Sequence, residues 1–183
     1  MEQTLVLIKP DGVKRGVIGE IIHRFERMGL KIVAMKMIVP TKELLDKHYA
    51  TDKQSTVERI GNKTLDTYKK YGKDAKKEFG SDDAATLGKM VVGWLLDFMV
   101  STPVVAIVVE GKHAVENVVA LAGPTMPVNA PAGTIRGDFS TDSAAYANEE
   151  RRAVQNIVHI SASVEEAKFE INLWFTPEEI YKY

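Results

Sequence analysis

Three side chains in this sequence have the chemistry to carry a phosphoryl group: His159, Lys9 and Arg136. His159 lies in Asn156-Ile157-Val158-His159-Ile160, where the β-branched Ile157, Val158 and Ile160 predict a strand. Ser161-Ala162-Ser163 follows, and Ser163 with Glu166 has the spacing of a capping box at a helix start. That places the imidazole near a strand end, just before a helix N-terminus, where α/β folds present groups to anions. A neutral imidazole there can attack a terminal phosphoryl group and hold it covalently. Lys9 follows the apolar run Thr4-Leu5-Val6-Leu7-Ile8 and is held at its end by Pro10-Asp11-Gly12, which reads as a turn. Arg136 sits between Gly133 and Gly137 in a long loop. Two cations that neutralise charge spreading over phosphoryl oxygens, with one nucleophile, suit phosphoryl transfer. Taken singly, a strand-end histidine or lysine is more often a packed or solvated residue without chemistry, so the combination carries the reading.

The elements that must position these groups follow from hydrophobic spacing. Residues 4–8 form a buried strand, and Ile18, Ile21, Ile22, Phe25 and Met28 recur at helical spacing before Gly29. Residues 31–39 form a second strand closed by Pro40, and Thr41 caps a helix through Tyr49. Residues 51–85 are polar, with glycine breaks at Gly61, Gly72 and Gly80 and a weak helical face at Leu65 and Tyr68; they read as an inserted helical excursion on the surface. Its lysines alternate with acids, which favours a solvated face over a polyanion contact. A helix over 87–99, a third strand over 104–109 and a helix opened by Gly111 come next. The loop 123–138 is stiffened by Pro124, Pro127 and Pro131, and loops of this length inside compact domains usually have a function. Residues 140–152 are polar and helix-prone, a helix covers roughly 163–168, and Thr176-Pro177-Glu178-Glu179 opens a final turn. The order predicts a ferredoxin-like α/β sandwich: an antiparallel four-stranded sheet with helices packed on it, in a single domain over 1–183.

Composition excludes several classes. The formal net charge of -1, from 24 basic and 25 acidic residues, draws the protein as a whole to neither nucleic acid nor membrane. An anionic substrate therefore needs a local basic site. The absence of cysteine removes disulfides, thiol nucleophiles and thiolate metal sites, and is compatible with cytoplasm. No apolar run reaches the ~20 residues of a membrane span, and the N-terminus shows no signal-peptide pattern. There is no P-loop, dinucleotide fingerprint or protein-kinase signature, and the four histidines show no ligand spacing with one another.

At this point a family resemblance appears. Ile8-Lys9-Pro10-Asp11-Gly12, Arg24-Phe25-Glu26, His48-Tyr49, Pro103-Val104-Val105-Ala106, Glu110-Gly111, Gly133-Thr134-Ile135-Arg136-Gly137-Asp138-Phe139, Asn156-Ile157-Val158-His159 and Glu170-Ile171 stand in one order. Each is weak alone; together they make the chain similar to nucleoside diphosphate kinase over nearly its whole length, apart from two insertions. The resemblance implies a ping-pong transfer of the γ-phosphate from a nucleoside triphosphate to a nucleoside diphosphate, with Mg²⁺ carried by the nucleotide and no metal held by protein side chains. It implies that His159 is the phosphorylated nucleophile and that Glu170 orients its imidazole, with Ser161 as the serine near the active histidine. It further implies phosphate contacts from Lys9, Tyr49, Thr125 and Arg136, with Lys9 also reaching the ribose, and a ribose or phosphate-side contact from Asn156. A homo-oligomer, a hexamer built as a trimer of dimers, is expected on the same ground.

Several positions depart from the family pattern. Gly-Ser-Asp-Ser after the histidine is here Ile160-Ser161-Ala162-Ser163. A phosphate-binding arginine aligns with Val119, and the aromatic that stacks on the base aligns near Val91, which leaves Val91 and Leu95 as the expected apolar clamp. Ala132 stands where the family has a proline, and the lengthened segment before Asn156 brings Arg151 and Arg152, candidate replacements for the missing arginine or partners of nearby acids. An active kinase is expected over a nucleotide-binding regulatory relative with little turnover, and over a DNA-binding ferredoxin-like module.

Overall fold

Strand β1, Glu2–Ile8, is apolar and β-branched on both faces, and its last five residues are buried, as expected of a strand covered from both sides. In the computed structural model, which describes residues 1–183, it is a central strand of a four-stranded sheet. With β2 (Lys31–Ile38), β3 (Val104–Gly111) and β4 (Val158–Ile160) the order is β2-β3-β1-β4, every pair antiparallel. The chain divides into two compact units: residues 1–39, 102–141 and 156–183 form one, and residues 40–101 and 142–155 the other.

The first unit holds the sheet. Val6 and Ile8 of β1 and Val105, Ile107 and Val109 of β3 form one core with Ile21 and Phe25 of α2 (Ile18–Arg27) and Val118 and Ala122 of α7 (Ala114–Ala122). Strand alternation turns Leu5 and Leu7 to the opposite face. There α10 (Val164–Trp174) packs on β1. Helices on both faces of an antiparallel sheet, joined as two βαβ-like halves, are the expected ferredoxin-like sandwich.

Local departures from the sequence reading have physical causes. Lys9 to Gly12 is not a bare turn: Pro10–Lys14 is a short helix, α1, with Pro10 at its first position, where the missing N–H costs nothing. Gly111 ends β3 instead of opening the next helix, which starts after His113 in a left-handed conformation. The helix expected over 163–168 continues to Trp174, so Glu170 is helical. Ser163 Oγ caps it by accepting from Glu166 N–H at 3.1 Å, but the Glu166 carboxylate takes the N–H of Ala162, one residue earlier than a reciprocal capping box requires.

The second unit contains α3 (Lys42–Tyr49), α4 (Gln54–Lys70), α5 (Ala75–Phe79), α6 (Ala84–Met99) and α9 (Ala144–Glu149). The excursion over 51–85 is more than a surface loop, since α4 buries Val57, Gly61, Thr64 and Tyr68 and packs along α6. Gly61 is not a break. A Cβ there would lie 1.8 Å from the Ala84 carbonyl oxygen, and one at Gly88 2.0 Å from that of Val57, so the two glycines let the helices touch backbone to backbone. Residues 142–155 also belong to this unit. There α9 contacts α4, and Lys73 pairs with Glu149.

Candidate functional site

The sheet register brings the chemistry of the first unit together. Leu7 pairs with His159 across β1 and β4, so the two side chains share a face. Lys9, two residues beyond Leu7, continues on that side. On the same face α10 presents Glu170, 1% exposed, whose Oε1 lies 2.8 Å from His159 Nε2. Its Oε2 accepts a 2.5 Å hydrogen bond from the buried Ser161 hydroxyl. An ionised carboxylate only accepts, so Nε2 carries the imidazole proton and the ring lone pair is on Nδ1. The His159 side chain is 16% exposed, shielded yet within reach of a substrate. Burial, and then the charge of Lys9, push its pKa down to about 3, so the ring is neutral at pH 7.

Lys9 is buried, and its ammonium donates to Asn156 Oδ1 at 2.8 Å. Burial lowers its pKa to about 8 against the opposing charge of Asp11. The Asn156 amide in turn donates to the Thr125 carbonyl at 2.9 Å, which ties the lysine to the long loop. Thr125 thus enters through its backbone. Arg136 is not in the loop itself but in the first turn of α8 (Ile135–Phe139), a helix capped by Thr134. A Cβ at Gly137 would lie 2.1 Å from the Pro131 carbonyl oxygen, so only glycine allows this helix to fold back on the loop. Asp138 closes it by accepting from Gly133 N–H at 2.8 Å and from Arg24 at 2.6 Å. The Arg136 guanidinium donates to the carbonyls of Gly123 at 2.5 Å and Val158 at 3.0 Å, while its Nε is buried with no partner. Burial lowers its pKa to about 10, which leaves it charged at neutral pH.

Lys9, Asn156, Arg136, His159, Ser161 and Glu170 therefore belong to one unit, with Thr125. Tyr49, at the end of α3, and Val91 and Leu95, half-buried on α6, belong to the other. Arg152 does not have the loose charge a replacement phosphate ligand needs. It forks onto Asp142 at 2.6 and 3.0 Å and bonds Glu150 at 2.5 Å. Burial pushes Asp142 up, but the bonds from Arg152 and from the Gln155 and Ser143 amides outweigh it and hold the carboxyl below its usual range. Arg151 donates only at 3.5 Å, to the Glu78 carbonyl. Asp11 is a site residue that reading the sequence as a turn missed: its Oδ2 accepts the Ile157 N–H at 2.8 Å, two residues before His159.

The family model described as nucleoside diphosphate kinase matches residues 2–59 and 73–180. The unmatched residues 60–72 fall in the second half of α4 and just beyond it. Nucleoside diphosphate kinase from Pyrobaculum aerophilum is 45% identical over 180 residues, covering 98% of either chain, and that from Pyrococcus furiosus is 43% identical, covering all of this chain and 88% of the other. Among solved structures, an NDP kinase from Pyrobaculum aerophilum superposes with a TM-score of 0.93 at 44% identity, covering 99% of each chain. The nucleoside-diphosphate kinase of Borrelia burgdorferi, a transition-state mimic with bound vanadate and ADP, superposes with a TM-score of 0.78 at 38% identity, covering all of this chain and 91% of that one. A half-buried histidine paired to a carboxylate beside two buried cations, and matches spanning the chain, lead to one conclusion: the chain belongs to the nucleoside diphosphate kinase family.

Proposed function

We propose that this protein moves the γ-phosphate of a nucleoside triphosphate to a nucleoside diphosphate in two half-reactions through His159. In the first, the Nδ1 lone pair attacks the γ-phosphorus, the bond from that phosphorus to the β–γ bridging oxygen breaks, and the diphosphate leaves. In the second, a terminal oxygen of the incoming diphosphate attacks the same phosphorus and the N–P bond breaks. Glu170 keeps the proton on Nε2 throughout and balances the positive charge that develops on the ring, while Ser161 holds the other carboxylate oxygen. Lys9 and Arg136 neutralise charge on the phosphoryl oxygens in flight. Asn156 ties Lys9 to the loop at Thr125. Mg²⁺ would enter with the nucleotide as part of the substrate and would neutralise charge on its phosphates, with no protein side chain needed to hold it.

The observation that carries this reading is the hydrogen-bond chain from Ser161 through Glu170 to His159, on the sheet face that also receives Lys9. Incubation with ATP, Mg²⁺ and a second nucleoside diphosphate should yield the new triphosphate and an acid-labile label on the protein. Label that is acid-stable, or that persists in His159→Ala, refutes the assignment. We further propose a homo-oligomer, a hexamer of trimer-of-dimers type. The edge strand β2 supports self-association, since Met35 (56%) and Met37 (58%) stand exposed along it. Sedimentation as a monomer at micromolar concentration defeats that proposal. No helix is long and apolar enough to cross a membrane; a cytoplasmic site of action is part of the proposal.

A further inference from the structure

The strand that carries His159 has only three residues. A one-residue slip against β1 would exchange His159 for Val158 or Ile160 and turn the imidazole to the other face. Val158 and Ile160 favour this register by packing in the core, but three residues offer few ladder hydrogen bonds, and the entry is held from outside the strand.

That hold is visible at Ile157. Its φ is +68°, a conformation that a β-branched residue adopts only under constraint. Val158 N–H donates to the Asn156 carbonyl at 2.7 Å, so the chain turns over three residues in the strained, positive-φ form of the γ-turn. Both peptide groups of Ile157 are clamped from the segment after β1: its carbonyl accepts from Lys9 N–H at 2.8 Å, and its N–H donates to Asp11 Oδ2 at 2.8 Å. Gly12 makes room, because a Cβ there would lie 3.1 Å from the Ile157 carbonyl oxygen and 2.8 Å from the Ile8 side chain. The other Asp11 oxygen is buried with no partner, and burial pushes the carboxyl up from its usual range. The amides of Ile157 and Gly12 and the charge of Lys9 offset part of the cost of burying this carboxylate, so its place is set by what it grips.

We propose that Asp11 is a positioning residue for phosphoryl transfer: it pins the strained turn at Ile157 and thereby fixes the register that aims His159. The inference rests on the assignment of His159 as the phosphorylated residue for its rate readout, but not for its structural one. Asp11→Ala removes the acceptor. Asp11→Asn keeps an acceptor oxygen of the same reach and removes the buried charge.

The test combines single-turnover phosphorylation of His159 by ATP, the ADP dissociation constant, and ¹⁵N NMR of the His159 imidazole. Asp11→Ala should phosphorylate at least tenfold more slowly, bind ADP within about twofold of the parent and shift the imidazole resonances. Asp11→Asn should recover the rate to within about threefold and restore the resonances. Should the alanine variant not fold, Asp11→Ser takes its place, with a hydroxyl one bond short of Ile157. An unchanged rate and unchanged resonances in the alanine or serine variant overturn the proposal. So does a loss that asparagine does not rescue. If the parent itself forms no phosphohistidine, the activity assignment fails, and the resonances of Asp11→Ala against Asp11→Asn decide the positioning role alone.

Discussion

Replacing Glu170 by glutamine separates charge from geometry at the centre of the site. Glu170 accepts from His159 Nε2 at 2.8 Å and from Ser161 Oγ at 2.5 Å, and it is 1% exposed. A glutamine of nearly the same shape keeps an oxygen toward Nε2–H, and the Ser161 hydroxyl can rotate to accept from its amide. The ground-state tautomer is then preserved. What is lost is the charge opposite an imidazole that becomes positive as the N–P bond forms. A hydrogen bond to a charged group contributes about 1.5–3 kcal/mol and a neutral one about 0.5–1.5 kcal/mol, so losing the charge alone, about 1–1.5 kcal/mol, should slow phosphorylation roughly 5- to 10-fold. Stability should hold or rise, because removing a buried charge while keeping its hydrogen bonds is often neutral or favourable. Glu170→Ala behaves differently: it strands the Ser161 hydroxyl and the imidazole N–H, at about 1–3 kcal/mol for each buried unpaired group, and should melt several degrees lower. Rapid-quench single-turnover kinetics and thermal melts on both variants give the comparison. A glutamine variant with the parent rate would show that Glu170 only packs the ring, and one that melts as low as the alanine variant would show that its charge stabilises the fold.

The pH dependence of kcat/KM follows from the buried nitrogens. His159, held at about 3, should give no acid limb of its own down to about pH 4, whereas Lys9, held at about 8, is charged below that value and loses its charge as pH rises through it, so the rate should fall in alkali; a profile rising between pH 5 and 7 contradicts the neutral imidazole. Lys9→Ala and Arg136→Ala should each slow transfer by about 2–4 kcal/mol of transition-state stabilisation, with folding measured by melting; transfer at the parent rate removes the residue from the mechanism. Gly61→Ala should destabilise despite alanine's higher helix propensity, by about 1–3 kcal/mol of overpacking, because its Cβ would meet the Ala84 carbonyl at 1.8 Å; an unchanged or raised melting temperature rejects the close helix contact. Arg152→Ala should leave the Kd for a nucleoside diphosphate, and its salt dependence, unchanged while lowering stability; weaker binding with a shallower salt slope would restore Arg152 as a phosphate ligand.

What the sequence disclosed depends on how local each signal is. The four strands, the Thr41 cap and the helix start at Ser163 are short-range patterns, and all were legible. Gly61 was misread because its role lies in a helix 23 residues further on: the glycine that looks like a breaker in its own helix is required by the Ala84 backbone. The polar face of α4 concealed Val57 and left Tyr68 a weak signal, since a helix with one buried stripe and many lysines reads as solvated. Asp11 was hidden by its neighbours. Pro10 and Gly12 suggest a turn by composition, and nothing local announces that the carboxylate reaches the amide of a residue 146 positions away. Lys9, Arg136 and His159 stood out from residue type and setting, whereas Glu170 was reached through the family resemblance, because a carboxylate on a helix eleven residues after a histidine has no local mark.

The charge balance of the site bears on the arginine that the family resemblance leads one to expect at the position of Val119. Arg152 is not available at low cost: freeing it would break the two bonds by which it grips Asp142. In the proposed mechanism the phosphate charge is therefore met by Lys9 and Arg136. Burial is what makes two cations go far. A unit pair at 4 Å is worth about 1 kcal/mol in water and about 4 kcal/mol at an effective dielectric near 20. The burial that pushes the pKa of Lys9 and Arg136 down, a cost in the folded protein, strengthens their attraction to an arriving anion. The charge of Asp11 offsets part of that of Lys9. A solvent-exposed arginine at the position of Val119, itself 38% exposed, would act through a higher dielectric and add less than either buried cation. Its loss is thus compatible with transfer through His159, at the expense of nucleotide affinity.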